Sequence, residues 1–187
     1  MVRHGESQDN VSRIFSRDDT KLTKTGIEQI KNARKIIRNY DFKNVYYSPL
    51  TRTNETLQYL ELEGIPEERI REVNFGKFAG LTFDELVEKY PDESKSWFAD
   101  PHTYEVPEGE SLNMVYDRIE NFLEFALEKS EDIVLVTHEG VIRLICSWVF
   151  DDANLYFKFK ADNGSISIVS INDEGDKYIK KLNSSVI

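Results

Sequence analysis

Ile133-Val134-Leu135-Val136-Thr137-His138-Glu139-Gly140-Val141-Ile142-Arg143 reads as a strand handing over to a helix, and this junction decides the fold. Residues 133–137 are β-branched or leucine without polar alternation, the pattern of a strand buried on both faces. The stretch Val141–Phe150 then continues as an apolar helix. Upstream, Asn44–Tyr47 reads as a second strand, followed by a helix that Pro49 opens and that carries Leu57 and Leu60. Thr23 is placed to N-cap a helix with Ile27, Ile30, Ala33 and Ile37 on one face. A further short strand is expected to end near Val73. Leu112–Lys129 is an amphipathic helix with Val115, Ile119, Phe122, Leu123 and Ala126 in its apolar stripe. Ser165–Ile171 and Lys177–Leu182 flank Asn172–Gly175 as a terminal hairpin. Strands alternating with helices imply an α/β fold with a mostly parallel central sheet and helices on both faces.

The 187 residues are enough for one well-cored domain, expected to span residues 1–187, and too few for two ordinary ones. No apolar run approaches the roughly 18–20 residues of a membrane span. The net charge of −10 is uneven: residues 61–132 carry 20 acidic against 7 basic side chains, whereas residues 1–60 carry 11 basic against 7 acidic. A nucleic-acid partner needs a continuous basic surface, which this distribution lacks. A small phosphate ester can still be held by a few convergent arginines against the global field. The single cysteine, Cys146, lies in an apolar stretch and is expected to be a buried thiol, with no cysteine cluster for structural zinc. No signal or transit peptide precedes the first motif, so a reducing cytoplasm is the expected location. Only Met1 and Val2 precede Arg3, although strands usually run about 5–6 residues. The expectation is that the natural chain has several more apolar residues before Met1.

Three segments put reactive side chains just after strands, where open α/β sheets bind ligands. They are Arg3-His4-Gly5-Glu6-Ser7, Ser48-Pro49-Leu50-Thr51-Arg52, and Thr137-His138-Glu139-Gly140. One histidine at a strand end is more often structural than catalytic. Two histidines and two arginines at equivalent positions point to phosphate, because guanidinium forks match its oxygens and imidazole can serve as nucleophile or donor.

These segments carry a family resemblance. Arg3-His4-Gly5-Glu6-Ser7 with Asn10, Leu22-Thr23 with Gly26 and Gln29, and Ser48–Thr53 with Thr56 resemble, in order, motifs of the histidine phosphatase (phosphoglycerate mutase-like) superfamily. So do Arg71–Gly80, Pro107–Leu112 and Val136–Arg143. The resemblance runs from residue 3 to about residue 168. It implies that His4 takes the phosphoryl group as a phosphohistidine, and that Arg3, Arg52 and His138 surround the phosphoryl oxygens. It also implies that Glu72 exchanges the proton with the leaving alcohol and the attacking water, and that Asn10 adds a donor. No metal or other cofactor is required. The implied substrate is a small phosphorylated metabolite. In size and motif wording the chain is closest to small phosphatases that include alpha-ribazole-5'-phosphate phosphatase; sugar phosphates, phosphoserine and nucleotides stay open. Mutase-type phosphoryl transfer and a non-catalytic phosphate-binding relative are the alternatives, and the oligomeric state is not legible.

Two departures from the motifs bear on the site. Glu139 stands where many members carry glycine, at a position counted with the substrate-binding residues. Its carboxylate would repel a phosphate unless it turns away. Glu108 likewise replaces a common glycine in a short acidic lid, residues 73–110, whose helical pieces are broken by Pro91, Pro101 and Pro107. Of the other side chains, Arg143 is expected to be a surface or capping arginine, His102 to lie in an exposed loop, and Phe75, Phe78, Trp97 and Phe98 to lie in the lid core. Glu6 is expected to have a structural hydrogen bond.

Overall fold

The computed structural model describes residues 1–185. The elements are β1 (Val2–Arg3), α1 (Gln8–Ser12), α2 (Lys24–Ile37), β2 (Asn44–Tyr47), α3 (Thr51–Leu60), β3 (Ile65–Pro66) and α4 (Phe83–Lys89). They continue with α5 (Pro91–Ala99), α6 (Leu112–Leu127), β4 (Ile133–Thr137), α7 (Glu139–Trp148), β5 (Ile166–Ile171) and β6 (Lys177–Ser184). The six strands form one sheet in the order β3-β2-β4-β1-β5-β6. Strands β1 to β4 run parallel, and the β5–β6 hairpin closes the β1 side antiparallel.

Strand β4 is central because it has an apolar side chain for each face. Val134 and Val136 pack with Ile30, Ala33, Leu57 and Leu60 of α2 and α3. Leu135 points the other way, into a core with Val115, Ile119 and Phe122 of α6 and Leu144 and Ile145 of α7. The two-residue β1 is held by neighbours on both sides: the Arg3 amide donates to the Ser165 carbonyl at 3.1 Å and the His4 amide to the Thr137 carbonyl at 2.9 Å. Thr23 caps α2 as its sequence suggests, its hydroxyl accepting from the Gly26 amide at 3.0 Å.

Three details differ from the sequence reading. No strand ends near Val73; the chain leaves β3, makes a single 3₁₀ turn at Glu68–Ile70 and continues as irregular backbone. Ile70 is fully buried there, and its carbonyl takes the Thr137 hydroxyl at 2.8 Å. This anchoring replaces strand pairing. Helix α7 starts two residues before the apolar run, with His138 as its N-cap. Helix α3 begins at Thr51, with Leu50 rather than Pro49 at the cap.

In the lid, Phe78, Leu86 and Val106 form a small core against Phe15, Phe75, Tyr90 and Trp97. Pro91 starts α5 at its first turn, where a missing N–H does no harm. Asp84, Glu85, Glu88, Asp92, Asp100, Glu105 and Glu108 are all exposed, so the lid's acid faces solvent. Glu108 holds φ at +64°, the left-handed region that glycine enters without penalty, which accounts physically for glycine in the motif at this place.

Candidate active site

The C-terminal ends of β1, β2 and β4 bring His4, Arg52 and His138 together, and Arg3 and Glu72 join them. Arg52 is buried on α3 and donates from Nε to His4 Nε2 at 3.3 Å, while its Nη1 donates to the Arg17 carbonyl at 2.8 Å. His4 Nδ1 lies 2.7 Å from the Gly5 carbonyl. A carbonyl only accepts, so the proton is on Nδ1 and the lone pair is on Nε2, which faces Arg52. Gly5 is required for this turn: a Cβ there would lie 2.4 Å from the Gly26 carbonyl oxygen on α2. The two histidine rings are 5.2 Å apart. His138 Nε2 lies 2.7 Å from Ser48 Oγ, and its buried Nδ1 has no partner among the described residues. The tautomer in which Ser48 donates to Nε2 puts the hydrogen on Nδ1 and makes it a donor.

Burial pushes His4 well below the usual histidine pKa, with Arg52 and then Arg3 adding to the effect. His138 is lowered well below the usual value by burial first and then by Arg52. Both rings are therefore neutral at pH 7. Glu72 moves the other way: burial raises its carboxyl above the usual glutamate value against the pull of Arg52 and the Val73 amide. Crowding by Glu67 and Glu68 is not the cause, because these acids pair with Arg69 and Arg71. Arg118 fixes the approach to Glu72 by donating to the Arg69 carbonyl at 2.7 Å and the Glu72 carbonyl at 3.1 Å.

Glu139 neither faces solvent nor stands alone. Its Oε2 pairs with Arg3 Nη1 at 2.8 Å and its Oε1 with Arg143. Arg3 Nη1 also donates to the Ala161 carbonyl at 2.5 Å, which leaves the buried Arg3 Nε without a partner among the described residues. Arg143 is thus no surface arginine; it lies over the Tyr156 ring at 5.4 Å. Asn10 has a local task, its Oδ1 accepting from the Ser7 amide, the Ser7 hydroxyl and Asn163 Nδ2, each at 3.0 Å, so that its own Nδ2 remains to donate. Glu6 accepts from the Thr23 hydroxyl at 2.6 Å, the structural bond expected of it.

Sequence reasoning assigned no role to Ser48, Tyr156 or Asn163. Ser48 was visible at a strand end. Tyr156 and Asn163 sit in irregular stretches where no periodicity marks them. His102 is half-buried, its ring edge-on to Phe157 at 6.2 Å between centroids. Phe75, Trp97 and Phe98 belong to the lid and also line a cavity of about 470 Å³ beside Glu72, together with Phe15, Tyr156 and Phe157.

Chemically, the arrangement offers an uncharged imidazole whose Nε2 lone pair meets Arg52 Nε, two buried guanidinium groups, a second neutral ring, and a carboxyl held toward its protonated form. The uncapped first turn of α7 adds backbone N–H groups beside His138. Among the described residues, no three His, Cys, Asp or Glu side chains are grouped as a metal site, and no helix is long and apolar enough to cross a membrane.

Known proteins share this frame. A phosphoserine phosphatase 1 from Hydrogenobacter thermophilus is 34% identical over 98% of this chain and 90% of its own. An adenosylcobalamin/alpha-ribazole phosphatase from Salmonella typhimurium is 29% identical over 100% of this chain and 96% of its own. The crystal structure of the alpha-ribazole phosphatase from Shigella flexneri superposes with a TM-score of 0.90 at 26% identity, covering 98% of this chain and 94% of that one. The model of the histidine phosphatase superfamily (branch 1) matches residues 1–185. With that match and those relatives, the chain belongs to the histidine phosphatase superfamily and is one of its phosphatases.

Proposed function

We propose that this protein hydrolyses the phosphate monoester of a small metabolite in two displacements at His4, without a metal. In the first, the His4 Nε2 lone pair attacks phosphorus, the P–O ester bond breaks, and Glu72 gives its proton to the departing alkoxide, so that the alcohol leaves. In the second, the Glu72 carboxylate takes a proton from water as its oxygen attacks phosphorus. The P–N bond breaks, its electron pair returns to Nε2, and inorganic phosphate departs. Arg3, Arg52 and His138 stabilise the phosphoryl oxygens as charge moves between the entering and leaving atoms; Asn10 contributes a further donor, and Glu139 acts through Arg3. The observation that carries this reading is the state of His4, with its proton held on Nδ1 by the Gly5 carbonyl and Nε2 turned to Arg52.

Alpha-ribazole 5'-phosphate is the individual substrate we put forward, supported by the near full-length likeness to alpha-ribazole phosphatases. Phosphoserine is a second reading, favoured by the 34% identical relative. His4→Ala is expected to abolish phosphate release from p-nitrophenyl phosphate while the far-ultraviolet circular dichroism is retained. Quenching the wild type during turnover should trap an acid-labile, base-stable phosphoryl group on His4. Undiminished turnover in His4→Ala would refute the mechanism.

A further inference from the structure

The cavity beside Glu72 has a chemical character of its own. Phe15 contacts Phe75 and Trp97 with ring centroids 5.0 and 5.5 Å apart, and Trp97 contacts Phe98 at 5.4 Å. Facing them, Tyr156 meets Phe157 edge-on at 4.8 Å. These six rings line the same cavity. They come from separate parts of the chain: the loop after α1, the turn before α4, helix α5, and the 3₁₀ segment Ala153–Lys158.

The cavity continues the reaction centre. A Cβ on Gly140 would lie 2.4 Å from Glu72 Oε1, 3.3 Å from Val73 Cγ2 and 3.4 Å from the Tyr156 hydroxyl. Val73 and Tyr156 are cavity walls. A carbon skeleton attached to an ester oxygen at Glu72 can therefore extend among the rings.

Charge narrows what that skeleton can be. Among the described residues, two charged side chains line the cavity, and each has an ion-pair partner. Glu110 accepts from Arg118 Nε at 2.8 Å, from its Nη2 at 3.0 Å, and from the Asn74 amide at 2.9 Å. Arg143 pairs through Nη2 with Glu139 and lies over the Tyr156 ring, which leaves its buried Nε as one donor without a partner among the described residues. A carboxylate or second phosphate entering here would lose its hydration and meet a single N–H of an arginine that Glu139 already pairs, beside the Glu110 carboxylate. A flat neutral ring loses little water and gains edge and face contacts on several sides.

We infer that the leaving group is an uncharged alcohol bearing a planar aromatic ring system, held in the cage of Phe15, Phe75, Trp97, Phe98, Tyr156 and Phe157. The inference rests on the hydrolase reading above and specifies its substrate class. It places phosphoserine and bisphosphorylated sugars among poor substrates.

The test compares three esters with alkoxide leaving groups: 2-naphthylmethyl phosphate, propyl phosphate and phosphoserine. They are assayed on the wild type and on Phe98→Ala and Phe157→Ala. These rings are 42% and 62% exposed, so shortening them leaves the fold in place. In the wild type, kcat/KM for the naphthylmethyl ester should exceed that for propyl phosphate by about a hundredfold, with phosphoserine lowest. In each variant the naphthylmethyl-to-propyl ratio should fall by about tenfold. No phosphate release from any ester, p-nitrophenyl phosphate included, would overturn the hydrolase reading itself. Hydrolysis of all three with no preference for the ring, or a preference for phosphoserine, would overturn the substrate class and leave the hydrolase reading intact. A ring preference undiminished in both variants would overturn the assignment to this cavity.

Discussion

Gly140→Ala separates the proton donor from the fold. Gly140 lies in the first turn of α7, where helical backbone accepts alanine and gains about 1 kcal/mol of helix propensity over glycine. The new Cβ would lie 2.4 Å from Glu72 Oε1, and ordinary contact begins at 3.4 Å, so the carboxyl must retreat by about 1 Å. The Val73 and Tyr156 contacts, at 3.3 and 3.4 Å, demand almost nothing. The displaced atom ends a rotatable side chain, which lets the core stay as it is. A misplacement of about 1 Å at a reacting group slows catalysis by about a hundredfold. That loss should appear in kcat/KM for propyl phosphate, whose alkoxide needs a proton. For p-nitrophenyl phosphate, whose phenolate departs unaided, it should stay within about fivefold. The thermal midpoint should be unchanged or raised. Equal losses on the two esters, or none on either, would refute the role given to Glu72 and its contact with Gly140.

Four further outcomes are expected. Because the Glu72 pKa is raised and that of His4 is lowered, kcat/KM for propyl phosphate should be level between the His4 and Glu72 values and fall as pH rises through the Glu72 value. Glu72→Gln should abolish that alkaline limb, and its persistence would exclude Glu72 as donor. The neutral state of buried His4 contributes stability that is fully present above its unfolded pKa of about 6.5 and lost as pH falls toward the lower folded value. The midpoint should therefore drop less in His4→Ala than in the wild type between about pH 7 and about pH 5, and equal drops would contradict this. Dialysis against a chelator should leave the rate unchanged, since Arg3 and Arg52 supply the positive charge; activity lost and then restored by magnesium would contradict it. Hydrolysis should outrun isomerisation of 3-phosphoglycerate primed with the bisphosphate, because the aromatic cavity offers a second phosphate a single donor of Arg143, which Glu139 already pairs; isomerisation about a hundredfold faster than hydrolysis would overturn the assignment.

The parts of this molecule that were legible share one property: local sequence pattern and burial agree. The run from Ile133 to Thr137 is apolar because both faces of β4 are covered, and the residues just beyond it are reactive because the sheet ends there. Glu72 was named from its motif, and the strand expected to deliver it is absent among the described residues. A buried Ile70 side chain and one hydroxyl bond from Thr137 do the positioning, and neither has a periodicity to detect. The lid misled in a different way. Its acidic composition suggested a negatively charged surface over the substrate, but α4 and α5 are too short to declare a face. The acids turn outward while Trp97 and Phe98 turn toward the cavity. Arg143 was read as a surface or capping arginine; its pair with Glu139 is an i,i+4 contact within α7 that the spacing offered, whereas Tyr156 lies thirteen positions on in an element whose packing the sequence does not state.

Glu139, the departure that promised repulsion, fits the electrostatics once all the groups are counted. Burial pushes every ionisable group here toward neutrality: Arg3 and Arg52 downward, His4 and His138 downward, Glu72 upward. In the state the proposed first step requires, with both histidines neutral and Glu72 carrying its proton, Arg3, Arg52 and Arg143 face one carboxylate. That leaves two net positive charges, the complement of a phosphate monoester dianion. Without Glu139 there would be three, an excess the buried site could relieve only by drawing in a further anion or by ionising Glu72, the group that must keep its proton. With Glu72 ionised, a single net charge would face the dianion. Glu139 therefore need not turn away from the phosphate. Paired to Arg3 Nη1 and leaving Nε free, it trims the charge while holding the guanidinium that meets the substrate.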